Sequence, residues 1–212
     1  MSSPLTIYAD ASDGYIWSYD STYADARAGM GSISAITDGG SLPQGQVNNP
    51  PYYFFLSYIQ FDTSGAENGV SVAELSLKQY SSLHDDQAFT AWAAQYDWGE
   101  NLTTADFVAG ADLSALTKVA SIASADIALS TYNAFESEAA FPAAINVEGY
   151  TRLILFTNRM ESGDAPAGFT ERVNWHSADS DGTTSDPKLY VEYDDVAQIT
   201  PVAMHHYDLL RR

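Results

Sequence analysis

The sequence predicts an all-β chain: an antiparallel β-sandwich with short local helices and a C-terminal extension. Three observations predict it. Apolar and polar residues alternate with a period of two through Phe54–Tyr80. Short runs rich in aromatic and β-branched residues recur along the chain, as at Tyr15, Trp17 and Tyr19, at Tyr150–Asn158 and at Lys188–Tyr193. Between these runs lie clusters of Gly, Pro, Asn and Asp that punctuate rather than continue regular structure.

Leu5–Ala9 alternates and opens the chain as a strand, and Tyr15, Trp17 and Tyr19 mark a second. Asp20–Gly29, DSTYADARAG, begins with turn formers and is expected to lead along a sheet edge into Met30–Ile36. Thr37–Tyr52, TDGGSLPQGQVNNPPY, holds Gly, Pro and Asn so densely that a long surface loop is expected. In the next run Ser57, Ile59 and Phe61 share one face while Tyr58 and Gln60 take the other. Both faces carry apolar surface, which places this strand inside a sheet. Ala73, Leu75 and Leu77 then point one way and Glu74, Ser76 and Lys78 the other, as in a strand with one wet face. The two runs are expected to pair as antiparallel neighbours across Asp62–Gly69, a connection longer than a two-residue hairpin turn.

Ser81–Gln87 reads as a polar connection, after which Phe89, Trp92 and Tyr96 lead into Asp97-Trp98-Gly99-Glu100. A helical turn is expected around Ala105–Phe107. Ile122–Thr131 fits either a strand or a helix, and Phe135–Ala144 fits a short helix with Asn133 as its cap. Tyr150–Asn158 is a strong strand with Leu153 and Leu155 on one face. Val173–Trp175 and Lys188–Tyr193 are two more, the last with Leu189, Val191 and Tyr193 together, and Ser177–Pro187 is a loop between them. Residues 1–195 are therefore read as one sandwich domain and 196–212 as an appended arm.

Composition narrows the function. Nine basic residues against 28 acidic ones give a net charge of -19, which repels a phosphate backbone and an anionic membrane surface. Neither nucleic acid nor membrane is an expected partner. The chain has no cysteine, so disulfides, zinc thiolates and thiol nucleophiles are excluded. Met1–Ala9, MSSPLTIYA, shows neither a basic region nor an apolar core of a secretion signal. A chain that reaches the outside without one fits a particle released by lysis, and the expected location is a virion.

Glu100 beside Trp98 offers one carboxylate where glycoside hydrolysis needs two at a set separation. Ser177 follows His176 without a nucleophile elbow, so no enzymatic activity is expected. Asp179, Asp181 and Gly182 begin like an acidic calcium loop with Asp186 nearby, but the twelfth-position glutamate is missing. A solvated loop is the first reading and a structural calcium ion the second, with no other cofactor expected. His84-Asp85-Asp86 is a weaker cation candidate. For sugar stacking, Trp17, Tyr19, Tyr52, Tyr53, Trp92 and Trp175 are available; core or interface packing is the first reading of each, and Tyr52, Tyr53 and Trp92 are the candidate platforms. For assembly, Met204, His205, His206, Tyr207, Leu209 and Leu210 of the arm are the expected contacts with a neighbouring subunit, the alternative being an arm that folds back on its own domain.

The order of several stretches resembles a known family. TYADARAG (Thr22–Gly29), FLSYIQFDTSG (Phe55–Gly65), VSVAELSLKQY (Val70–Tyr80), DWGE (Asp97–Glu100) and VNWHSADSDGTTSDPKLYVEY (Val173–Tyr193) are similar to successive landmarks of the DNRLRE domain. That family is itself similar to carbohydrate-binding jelly rolls, so the resemblance implies an antiparallel β-sandwich of jelly-roll type. The resemblance spans roughly residues 5–195. It departs at Thr22-Tyr23-Ala24, where the family carries Asn-Tyr-Gly, at Thr104–Phe107, and in the insertion Thr37–Tyr52. Such domains occur in wall-associated proteins and in phage virions. The resemblance thus implies a non-enzymatic virion structural protein of a bacteriophage, as a head-decoration, fibre or tail-associated module. Its expected partners are further copies of itself and other virion proteins. The alternatives are a carbohydrate-binding module for host surface glycans and, third, a hydrolase on the same scaffold.

Overall fold

The computed structural model describes residues 4–37, 39–48, 51–67, 69–81, 83–166, 170–178 and 182–193. The strands in chain order are β1 (Leu5–Tyr8), β2 (Gly14–Asp20), β3 (Ser32–Ile36), β4 (Ser41–Asn48), β5 (Tyr52–Asp62), β6 (Val70–Lys78) and β7 (His84–Asp85). They continue as β8 (Thr90–Gln95), β9 (Lys118–Ala123), β10 (Tyr132–Ala134), β11 (Glu136–Ser137), β12 (Tyr150–Thr157), β13 (Thr170–His176) and β14 (Lys188–Tyr193). Among the described residues three short helices accompany them: α1 (Tyr23–Ala28), α2 (Phe141–Ala144) and α3 (Asn158–Ser162). Among the described residues all strand pairing is antiparallel.

Two sheets pack as a sandwich. The smaller runs β1-β14-β6-β10, the larger β11-β9-β8-β12-β5-β4-β13-β7, with β2 and β3 attached at the other edge of β5. The main core lies between the sheets: Ala73, Leu75, Leu77, Leu189 and Val191 from the small sheet meet Ile59, Phe61, Leu153, Leu155, Val173 and Trp175 from the large one. A second core covers the far face of the large sheet. There Phe54, Leu56, Tyr58, Ile16, Ile154 and Phe156 are closed over by Trp98, Leu102, Val108, Leu113 and Met160. The Thr104–Asp106 turn, with Thr103 as its reciprocal cap, belongs to this lid.

The large sheet forks at β5. One edge of β5 pairs with β2 from Tyr52 to Tyr58. The other edge is shared, by β4 over Tyr52–Phe55 and by β12 over Ser57–Asp62. The buried Gln44 fills the crotch: its Nε2 donates to the carbonyls of Phe156 (2.5 Å) and Trp92 (3.1 Å), and its Oε1 accepts from Trp175 Nε1 (2.7 Å). Ser57 Oγ donates to the Pro43 carbonyl at 2.7 Å. Polar groups freed by the split are thereby satisfied, as burial requires.

This fork corrects two expectations. Thr37–Tyr52 is not a surface loop, because Ser41–Asn48 forms β4 with Leu42, Gln44 and Gln46 buried. Pro43 and Gly45 are turn residues by composition, yet Pro43 lies past the last β4–β5 pair, where one ladder edge is already vacant. Gly45 has φ +138, and a Cβ there would sit 2.0 Å from the Glu171 carbonyl oxygen. Gly45→Ala should therefore cost about 2–3 kcal/mol in chemical denaturation; a change below about 0.5 kcal/mol would show that this close approach does not constrain β4.

The other correction concerns β5 and β6, which are not neighbours. The edges of β5 are taken by β2, β4 and β12, and those of β6 by β14 and β10, so the two strands face each other across the core. Elsewhere Tyr23–Ala28 is a helix rather than an edge run, capped by Thr22 (its Oγ1 accepts from Asp25 N, 3.2 Å) and closed by Gly29 at φ 69. Helix is confined to Phe141–Ala144 within Phe135–Ala144, and Asn133 caps nothing there. Its side chain closes the turn at Ala128 instead, accepting from Ala128 N and donating to Ala128 O. Ile122–Thr131 holds the end of β9 and a 3-10 turn at Ser124–Asp126. The arm 196–212 lies outside the described residues.

Candidate functional site

Strand β2 buries Ile16 and Ser18 and turns Tyr15, Trp17 and Tyr19 to its other face, all three partly exposed. On the neighbouring β5 the matching phase is Tyr53 and Phe55, also partly exposed. Pairing sets Trp17 opposite Phe55 and Tyr19 opposite Tyr53. The rings then touch in series: Trp17–Tyr19 at 5.1 Å, Trp17–Tyr53 at 5.6 Å, Tyr19–Tyr53 at 5.7 Å, Tyr53–Phe55 at 5.9 Å and Tyr15–Phe55 at 6.4 Å between centroids. Further along the same phase of β5, Ile59 and Phe61 enter the core under the small sheet. The small sheet covers only that half, so the aromatic half emerges as a shelf on a rigid strand pair.

A cation completes the shelf. Across the sheet the row runs Trp17, Phe55, Gly45, Arg172 and His84. Gly45, without a side chain, lets the Arg172 guanidinium lean over Phe55, with Cζ 5.5 Å from the ring centroid. Arg172 Nε is buried and makes no hydrogen bond among the described residues. Burial lowers the Arg172 pKa, which the neighbouring Tyr15 partly restores, and burial likewise raises Tyr15. An arginine stays charged through such a shift, so the shelf sets aromatic surface beside one guanidinium charge.

Beneath the shelf a buried polar cluster fixes β4 to β13. Glu171 is fully buried; its Oε2 accepts from Gln46 Nε2 and from Arg159 Nε, both at 2.8 Å. Arg159 also donates to Gln87 Oε1. Tyr23 donates its hydroxyl to Gln46 Oε1 at 2.8 Å, and burial pushes its pKa up to about 12. The sign follows from linkage. Above the ordinary value of 10.0 the unfolded chain loses this proton while the folded chain keeps it, so Tyr23 holds its full stabilisation below pH 10 and loses it as pH rises towards about 12. Tyr23→Phe should flatten the fall of stability across that interval in denaturation series at stepped pH; an unchanged slope would remove Tyr23 as its source.

The other sequence candidates scatter. Tyr53 belongs to the shelf, but its neighbour Tyr52 faces the opposite side and meets Tyr23 edge-on at 6.1 Å. Trp92 packs against the second core with Lys118 Nζ 5.0 Å from its ring. Trp175 is wholly buried, as is nearly all of Trp98, whose ring stands at right angles to Tyr58, while Glu100 is exposed. Asp186 is buried, and Asp179 and Asp181 lie outside the described residues, as do Met204, His205, His206, Tyr207, Leu209 and Leu210. A groove of about 560 Å³ runs between β9 and β10, lined by Thr90, Ser121, Asp126, Tyr132, Asn133 and Glu136. Its one aromatic ring is already taken, with Lys188 Nζ 3.7 Å from the Tyr132 centroid. Tyr15, Phe55 and Arg172 are the shelf members that sequence reasoning missed.

No family model matches the chain, and no curated protein matches it.

Proposed function

We propose that this chain is a non-enzymatic structural protein of a bacteriophage virion, a head-decoration, fibre or tail-associated module that acts by contact. The observation that carries this reading is the aromatic shelf. A continuous apolar face on two paired strands, backed by a packed core, is the form of an interaction surface rather than of a solvated one. The sandwich behind it supplies rigidity, and the acidic balance of the chain keeps it soluble between contacts. The order of motifs that resembles the DNRLRE domain agrees with a surface module, and fold-level resemblance carries function only as an analogy.

Quantitative mass spectrometry of gradient-purified particles from the source tests the setting. Recovery in fixed stoichiometry with the capsid or tail proteins is the expected result, and loss of the chain during purification would contradict it. A second reading, a carbohydrate-binding module, is favoured by the combination of ring surface and guanidinium donors at one place, which also suits a saccharide.

A further inference from the structure

The shelf asks for a ligand with apolar bulk and one hydrogen-bond acceptor of negative charge. Arg172 carries no carboxylate or carbonyl partner among the described residues, whereas Arg27, Arg152 and Arg159 all do. Such a ligand is present in this sequence. Residues 196–212 hold a single acid, Asp208, set directly between Tyr207 and Leu209-Leu210. The same segment carries two arginines against that one aspartate, a balance of +1, which leaves -20 on residues 1–195. Two sandwiches repel each other as whole bodies, but this segment is attracted to either.

We propose that the shelf of one subunit receives residues 204–210 of a second copy, with the Asp208 carboxylate on the Arg172 guanidinium and Tyr207, Leu209 and Leu210 against the rings of Trp17, Tyr53 and Phe55. The proposal rests on the assembly reading above and names its contact. Topology favours a second copy over the same chain. β14 ends at Tyr193, opposite Val70, while the small sheet meets β13 at the other end of β6, through the Gln79–Trp175 bridge. Those ends are nine residues apart, about 30 Å at strand spacing, and the shelf borders β4 and β13. β14 therefore ends on the side of the small sheet remote from its own β13 crossover, and the 15 residues from 194 to 208, about 50 Å at full extension, would have to turn back across that distance nearly extended to reach their own shelf. Bidentate pairing of the carboxylate with the guanidinium would fix the register of the arm, and ring contacts would supply the buried apolar area.

A charge swap in the full chain tests this. Arg172→Glu and Asp208→Arg should each raise the dissociation constant of the oligomer by about tenfold or more, and the two together should restore it to within a few fold. Circular dichroism of each variant checks that the sandwich is intact. A photoreactive amino acid at Leu209, in a mixture of isotopically labelled and unlabelled chains, should cross-link to Trp17 or Tyr53 of the other molecule. Links within one molecule would overturn the second copy as the source of the arm. An oligomer that persists unchanged in Arg172→Glu would overturn the shelf contact while leaving assembly standing. A wild-type chain that is monomeric at every concentration would remove the assembly reading itself, and this contact with it. An acidic saccharide that shifts tryptophan emission only when Trp17 is present, in a protein whose charge swap restores nothing, would assign the shelf to a glycan instead.

Discussion

Trp175→Ala should destabilise the protein by about 3–5 kcal/mol, the range for removing a large aromatic from a packed core. Trp175 is wholly buried, packs against Phe135 at 5.5 Å and donates its indole hydrogen to Gln44. Its loss opens the main core at the point where β4 has parted from β5, so the neighbouring backbone has no ladder with which to close the space. Trp175→Phe separates the contributions. It keeps most of the ring and leaves Gln44 Oε1 without its donor, for an expected cost of about 1–3 kcal/mol. Urea unfolding followed by far-ultraviolet circular dichroism reads both. A loss below about 1 kcal/mol for Trp175→Ala would mean that the fork is not held by this contact.

Arg159→Met should cost about 3–5 kcal/mol, because it strands the Glu171 carboxylate in the interior. Gln46 would remain as the donor to Oε2, and Glu171 Oε1 already has no hydrogen-bond partner among the described residues. One neutral donor does not replace an ion pair at full burial. The double variant Arg159→Met with Glu171→Gln removes the charge together with its partner and should recover more than half of the loss. If the double variant is no better than the single one, the penalty comes from lost packing of the arginine stem and not from the unpaired charge. The cluster lies directly under the shelf, with Glu171 and Gln46 paired across β13 and β4, so the same variants should also weaken whatever contact the shelf makes.

Strand identity was legible where one face is wet and the other dry. The alternations at Ala73–Lys78 and Lys188–Tyr193 both mark real strands of the small sheet. The two apolar faces of Ser57–Phe61 likewise mark a strand covered on both sides, by the main core and the second core. Pairing was not legible, because periodicity reports which face is buried and not against which neighbour. Phe54–Phe61 and Ala73–Lys78 have the pattern of a hairpin and are instead opposed layers. β4 was hidden by Pro43 and Gly45: the proline is tolerated because the sheet divides there, and the glycine is required by the close approach of β13. α1 was hidden because six residues with only Ala26 buried show no helical stripe; its caps, Thr22 and Gly29, were the readable sign.

The site was legible as a stock of aromatics and not as a surface. Tyr52 and Tyr53 are adjacent in sequence and therefore opposed on a strand. Trp17 and Tyr53 come together only through the β2–β5 register. Arg172 joins them only because Gly45 stands between it and Phe55, a relation among three strands that no local spacing encodes. The repeated aromatics at Tyr15, Trp17 and Tyr19, all on the phase that a half-buried strand normally gives to polar residues, were the one signal in the sequence of an aromatic face outside the core.

The most direct test of action by contact is the solution mass, by light scattering over a range of concentrations, of the full chain beside the variant Trp17→Ser with Tyr53→Ser. Both substitutions are on partly exposed positions of the shelf and leave the two cores untouched. The account predicts a wild-type mass that climbs above that of the single chain as concentration rises, and a variant that stays at the single-chain mass while keeping its circular dichroism. Equal masses for the two proteins at every concentration would contradict it.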